Sequence, residues 1–316
     1  MNKPRTFIIG SEWLYFKVYT GYKTADTILA DTIYPLTQYL TKENLIDRWF
    51  FIRYSDPQFH LRIRFHVDKI ENIAPIIFHF NNALQNYVTQ NLVWKIQTDT
   101  YQREMERYGI ELIELSEKLF ALSSEAICEI ISIDAVKQDE TLRWLLGLKM
   151  IDVLLTDFGH SLQEKIILLN TLQDNFGKEF NISKDARRQF GQKYRTEKSR
   201  VEKILDKDRE QDDEYVHLFK PIFKNSEKSK EIIEEIKSKK PVAERSGETS
   251  FLQGNLSSYI HMMLNRLFRT QQRTHELVLY DYLFRYYSSF AERQKAEGRK
   301  QNSYGLTRLT VLQSQK

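Results

Sequence analysis

The chain has 316 residues, of which 41% are hydrophobic and 28% charged, with a formal net charge of +4. That make-up suits a globular protein with one or two cores, is too apolar for a disordered chain, and lacks the concentrated basic stripe expected of a nucleic-acid binder. The single cysteine, Cys128, lies in an apolar helical run, which excludes an internal disulfide and reads as a buried structural thiol; the absence of a signal-peptide pattern and of an apolar run of roughly 18 residues points to the cytoplasm.

From Thr6 to Tyr19, aromatic and β-branched residues alternate with polar ones around Trp13, Tyr15 and Val18, and Gly21 closes the stretch. This predicts a strand or a bent hairpin. Asp26 to Leu40 carries Ile28, Leu29, Ile33, Leu36 and Leu40 at helical spacing, with a kink expected at Pro35. Trp49 to Tyr54 and Leu61 to Val67 read as two strands of a hairpin across SDPQFH, where Asp56 and Pro57 supply turn chemistry. Glu71 to Val88 is an amphipathic helix and Leu92 to Thr100 a strand. The order β, α, β, β, α, β is that of a ferredoxin-like antiparallel sheet with both helices on one face, which leaves the other face to a second layer or a ligand.

After Gly109 the pattern turns helical: Glu111 to Ser132, Asp139 to Phe158, Leu162 to Phe180, and a charged stretch from Lys184 to Lys207. Pro221 interrupts the charged section, Ser226 to Lys240 reads as a solvated helix, and Pro241 to Gly247 as a linker or surface loop. Two apolar helices, Leu256 to Arg269 and His275 to Phe290, return to the main body. The expected class is therefore α+β in one domain over residues 1–316, with a ferredoxin-like part over 1–109 and a helical part over 110–291 packed on it. A mobile basic tail is expected over 292–316, with Arg293, Lys295, Arg299, Lys300 and Arg308.

The sheet carries unusual charge. WFFIRYSDPQFHLRIRF and TYQREMERYG set Arg53, His60, Arg62, Arg64, Arg103, Glu104, Arg107 and Tyr108 beside strand-like apolar sequence. Arginines alternating with Leu61, Ile63 and Phe65 project from one face of a strand. Such a row either pairs with internal carboxylates or waits for an anionic ligand, because an unpaired charge is costly to desolvate. Arg53 has the opposite pleat parity, where a structural ion pair is an even alternative. None of the seven histidines has zinc-site spacing, so no metal is expected, and phosphate-loop, dinucleotide and nucleophile-elbow motifs are missing. His261, in YIHMMLNRLF, forms with Asn265 and Arg266 a polar patch on an apolar helix; a lone histidine there is more often structural.

Three ordered motifs, FFIRYSDPQFHLRIRF, TYQREMERYG and SSYIHMMLNRLF, give the chain a resemblance to the thiopeptide-type bacteriocin biosynthesis family, from the Trp13 strand to the helix near Tyr282. That family includes the C-terminal glutamate-elimination domain of class I lanthipeptide dehydratases. The resemblance implies β-elimination of glutamate from glutamylated Ser or Thr of a ribosomal precursor peptide, leaving dehydroalanine or dehydrobutyrine, with no cofactor. An elimination needs a base for the α-proton, stabilisation of enolate charge and help for the departing carboxylate. Carried over, Arg64 and Arg107 hold the glutamyl group and the developing charge, Glu104 orients an arginine, and His261 transfers a proton. Arg62, His60, Arg103, Tyr108 and Arg266 complete the motifs as substrate-binding groups or scaffold. The large glutamylation domain is not in the chain, so the resemblance implies a separate glutamylation subunit that uses glutamyl-tRNA, with no direct nucleic-acid or membrane contact here and a homodimer left open. Two alternatives remain: formation of a pyridine ring from two dehydroalanines by formal 4+2 cycloaddition, and a non-catalytic subunit that holds the precursor by strand addition.

Overall fold

The computed structural model describes residues 3–206, 213–239 and 251–313; the expected linker from Pro241 to Gly247 lies outside them. β1 (Thr6–Phe7) is followed by β2 (Trp13–Thr20), and a helical segment comes next, with α1 (Tyr22–Ile28), a π-turn (Leu29–Ile33) and α2 (Tyr34–Lys42). Pro35 sits in the first turn of α2, where its missing N–H is tolerated. The expected kink takes the form of the π-turn just before it, in which the Tyr34 N–H reaches back five residues to the Leu29 carbonyl.

β3 (Arg48–Ser55) and β4 (Phe59–His66) form the hairpin, and α3 (Ile73–Thr89) and β5 (Val93–Thr98) complete the motif. The strand order is β3-β4-β2-β5, antiparallel throughout, which is the ferredoxin-like arrangement. Leu61, Ile63 and Phe65 of β4 face α1 to α3, where Phe16 stacks on Phe80 with ring centroids 4.1 Å apart. His60, Arg62, Arg64 and His66 take the opposite face, beside Tyr15, Lys17 and Tyr19 of β2 and Phe50, Ile52 and Tyr54 of β3.

A short strand, β6 (Tyr101–Gln102), pairs with β1, and α4 (Met105–Tyr108) ends at Gly109, whose φ of 77° favours glycine. The helices that follow are α5 (Ile113–Ser132), α6 (Asp134–Gln138), α7 (Glu140–Asp157), α8 (Leu162–Glu179), α9 (Lys184–Leu205), α10 (Asp213–Ser238), α11 (Phe251–Leu267) and α12 (Gln272–Gln313). Two expectations change here. α10 runs through Pro221 without a break, held across it by packing on α5 and α7 that buries Leu218, Phe219, Ile222, Ile233 and Ile236. The stretch from residue 292 expected as a tail has the backbone of α12 as far as Gln313.

α5 and α11 lie along the outer edge of β3 and satisfy its backbone. The Phe51 N–H donates to Ser124 Oγ (3.2 Å), and the Phe51 carbonyl accepts from Arg266 Nε (2.8 Å). The Arg53 N–H and carbonyl are both met by the Asn265 side-chain amide at 2.9 Å. Asn265 thus stands in for the next strand, which fixes α11 to the sheet. One contiguous apolar cluster, from Phe7 to Tyr287, joins sheet and helices. No helix among the described residues is long and apolar enough to cross a membrane.

Candidate active site

The sheet face that carries the arginines is closed at one end by aromatic rings. Trp13 packs edge-on against Phe50 and Tyr101, and Phe50 against Phe120 of α5. Beyond these rings the face opens into a cavity of about 680 Å³, whose wall includes Tyr15, Arg62, Arg64, Asp99, Glu104, Arg107, His261, Asn265, Gln272 and Arg273. Of the expected site residues, Arg62, Arg64, Glu104, Arg107 and His261 therefore meet around one space.

Arg64 is buried, and its guanidinium carbon lies 4.4 Å from the Tyr15 ring centroid, 4.8 Å from Tyr101 and 5.1 Å from Phe50. Burial pushes its pKa down. Among the described residues it has no carboxylate partner within ion-pair distance and no hydrogen bond, even at its buried Nε. The π faces supply partial compensation for the cation, but they leave its donor fork unused. Arg53, one strand away with the opposite parity, shows the other outcome: its Nη2 binds Asp26 Oδ1 at 2.6 Å, so it is a structural ion pair.

Arg62 stacks on Tyr54 at 3.4 Å, and its Nε donates to His60 Nε2 at 3.2 Å. That bond requires His60 to carry its proton on Nδ1, which then donates to the Gln58 carbonyl at 2.9 Å. Burial holds the His60 pKa down, in keeping with a neutral ring. Arg107 is half-exposed, with its Nη1 3.4 Å from Glu104 Oε2, the geometry needed for Glu104 to orient it.

Four of the residues expected to bind substrate do not line the cavity. His60 stands behind Arg62. Both Nε and Nη2 of Arg103 bind the fully buried Glu117 at 2.7 Å, and the Tyr101 hydroxyl also donates to Glu117 at 2.8 Å, so Arg103 is saturated by scaffold. Tyr108 is buried and stacked on Tyr259, with centroids 5.7 Å apart. Arg266 is fully buried, held by the Phe51 and Met262 carbonyls and lying over the Phe120 ring; burial brings its pKa down to about 9. These motif positions back the wall: Arg103, Tyr108 and Arg266 are buried against partners in the core, and His60, on the same face of β4 as Arg62, is bonded behind it.

The residue that sequence reasoning missed is Glu276. It is fully buried and accepts from His261 Nδ1 at 2.8 Å, while Gln272 donates to the His261 carbonyl at 2.9 Å and also contacts Glu276. The imidazole is thereby oriented with Nε2 free of protein partners among the described residues, as a proton-transfer group needs. A signal was present: Glu276 shares a helical face with Tyr280, Leu283 and Tyr287, all buried, and an acid on such a face requires a partner.

Asp47, His66 and Asp68 are the group among the described residues whose potential metal-ligand atoms converge. Their chemistry is already occupied: His66 Nδ1 binds Asp47 Oδ1 at 2.5 Å and Arg48 binds its other oxygen at 2.6 Å, which makes an ion-pair cluster. The main cavity offers guanidinium forks and an imidazole, a donor set suited to a carboxylate or phosphate.

Comparison with known proteins places this geometry in a family. The chain is 27% identical over 177 residues to the subtilin biosynthesis protein SpaB of Bacillus subtilis, a match covering 55% of this chain and 17% of SpaB. It is 27% identical over 124 residues to the nisin biosynthesis protein NisB of Lactococcus lactis subsp. lactis, covering 39% of this chain and 12% of NisB. The matched stretches thus span less than a fifth of either relative. Among solved structures, the tRNA-dependent lantibiotic dehydratase MibB from Microbispora sp. 107891 shares the fold with a TM-score of 0.68 at 19% identity, over 90% of this chain and 28% of MibB. TsrL (TM-score 0.58, 14% identity) and the pyridine synthase TbtD from thiomuracin biosynthesis (0.54, 13%) each cover 88% of this chain and 95% and 98% of their own. The family model of the C-terminal region of lantibiotic biosynthesis dehydratases matches residues 13–287, and the chain belongs to that family.

Proposed function

We propose that the chain is a lyase that eliminates glutamate from glutamylated Ser or Thr residues of a ribosomally made precursor peptide. The observation that carries this reading is Arg64, a buried guanidinium with no carboxylate of its own, in the same cavity wall as Arg62, Arg107 and His261. A buried cation without an internal counter-ion is costly unless a ligand supplies one, and a glutamyl group does.

In the step, the Cα proton of the modified residue leaves to a base, its electron pair forms the Cα=Cβ double bond, and the Cβ–O bond breaks, so that glutamate departs as a carboxylate. Arg64 and Arg107 take up the negative charge, with Glu104 holding Arg107 in place and Arg62 adding a third guanidinium. His261 moves the proton through Nε2, oriented by Glu276. The glutamyl group has to be installed first, by a glutamylating activity that uses glutamyl-tRNA, which implies the cytoplasm.

The test incubates the purified protein with a glutamylated precursor peptide and follows loss of glutamate by mass spectrometry. A peptide that stays glutamylated when the glutamylation partner is also present sinks the reading. A bis-dehydroalanine peptide in a parallel reaction tests pyridine formation, a second reading favoured by the overlay on nearly the full length of TbtD. The motif set of arginines, Glu104 and His261 favours elimination, and a cavity lined by Arg64, Arg107 and His261 argues against a subunit that only holds the peptide.

A further inference from the structure

The two edges of the four-stranded sheet are treated differently. Side chains of α5 and α11 occupy the edge at β3. At the opposite edge, β5 has a neighbour only on its β2 side among the described residues. The Asp99 N–H bonds the Tyr15 carbonyl at 3.2 Å, and the register pairs Gln97 with Lys17. In an antiparallel ladder, alternate residues turn their backbone groups to opposite sides; Gln97 and Asp99 therefore face β2, and the N–H and carbonyl of Ile96 and Thr98 face away from the sheet.

Proteins guard such an edge with charges, proline or a covering segment. β5 has Lys95 as its only charge and no proline, and it exposes apolar side chains, with Trp94 at 51% and Ile96 at 36%. The strand also leads somewhere: directly after it, Asp99 and Thr100 form part of the wall of the Arg64 and His261 cavity. An extended chain laid on β5 would thus arrive at the cavity mouth.

We propose that the β5 edge is the track for the peptide substrate, an extended segment adding as a fifth strand and delivering the modified Ser or Thr to the cavity. Backbone hydrogen bonds to Ile96 and Thr98 give affinity without demanding a sequence, and Trp94 and Ile96 cover apolar side chains of the guest. The identity of the guest as a peptide substrate rests on the function proposed above; the strand-pairing itself does not.

The test uses displayed, Ser-containing peptides of about 12 residues, enough to cover the strand and reach the cavity, selected on the full chain, with the best binder labelled with fluorescein. Ile96→Pro removes a donor that faces away from the sheet, a position where proline is tolerated in an edge strand, and sets its ring in the path of the guest. The expected result is a Kd at least about tenfold weaker, an unchanged unfolding midpoint, and loss of binding when alternate amides of the peptide are N-methylated. Thr98→Pro should act alike. Unchanged affinity in a folded Ile96→Pro variant overturns the proposal, as does a wild-type dimer that the substitution converts to monomer, because a second copy would then occupy the edge. Wild-type protein that binds the peptide through Ile96 yet eliminates no glutamate from a copy of it made with its Ser glutamylated defeats the functional reading and leaves the track intact.

Discussion

Arg64 and Arg53 stand on neighbouring strands with opposite parity, and their surroundings separate a guanidinium without a carboxylate from one held in an ion pair. Arg64→Lys keeps the charge but loses the planar fork, which cannot be replaced at a bidentate carboxylate contact. The expected result is a fall of about ten- to a hundredfold in kcat/KM for elimination, read by mass spectrometry as accumulated glutamylated peptide. His261→Ala should slow elimination by about two to four orders of magnitude, the range of a general acid or base. An unfolding midpoint near that of the wild type must accompany the loss, and near-wild-type turnover would remove His261 from the mechanism. Glu276→Gln keeps an acceptor for His261 Nδ1 without the charge, so kcat should fall about tenfold while KM stays unchanged; a purely structural role would instead appear in the unfolding midpoint.

At the scale of elements, the junction between β3 and α11 decides whether the two halves of the site meet. Asn265 satisfies both backbone groups of Arg53, and the same helix carries His261 one turn earlier and Arg266 as the next residue. Asn265→Ala leaves a donor and an acceptor of the strand edge without partners and should cost about 2 kcal/mol, measured by urea unfolding, with elimination slowed as His261 loses its fixed distance from Arg64. The strands were legible because alternation along β4 is local: Leu61, Ile63 and Phe65 against Arg62 and Arg64 leave little choice of register. The helix through Pro221 was not, because the packing of α10 on α5 and α7 overrides a local breaker.

Asp26 joins the ferredoxin-like part to the helices. Its carboxylate meets Arg53 of β3, Arg143 of α7 and Arg269 just after α11. Burial alone would raise its pKa, and the three guanidiniums outweigh that and bring it down to about 2. Because the folded value lies below the unfolded one, the stabilisation is complete above the ordinary aspartate pKa of 3.8 and is lost as pH falls towards about 2. It amounts to about 2 kcal/mol. Urea unfolding across this window should therefore show a stability loss that Asp26→Asn largely lacks. At neutral pH, Asp26→Asn leaves buried guanidiniums uncompensated and should cost about 3 to 5 kcal/mol.

By itself the sequence determined the α+β class, the order of strands and helices in the first hundred residues, and the motifs that carry Arg62, Arg64, Glu104, Arg107 and His261. These follow from periodicity and short motifs, which neighbouring residues express together. Only the tertiary structure decided which cations are neutralised and which are not. Arg53 finds Asp26, Arg103 finds Glu117 and His261 finds Glu276, while Arg64 finds aromatic rings and open space. Motif membership did not separate the cavity wall, with Arg64 and Arg107, from the scaffold behind it, with Arg103, Tyr108 and Arg266. The separation depends on partners far away in the chain, such as the Asn265 amide on Arg53, 212 residues distant, and no local pattern encodes a contact made only when the chain closes on itself.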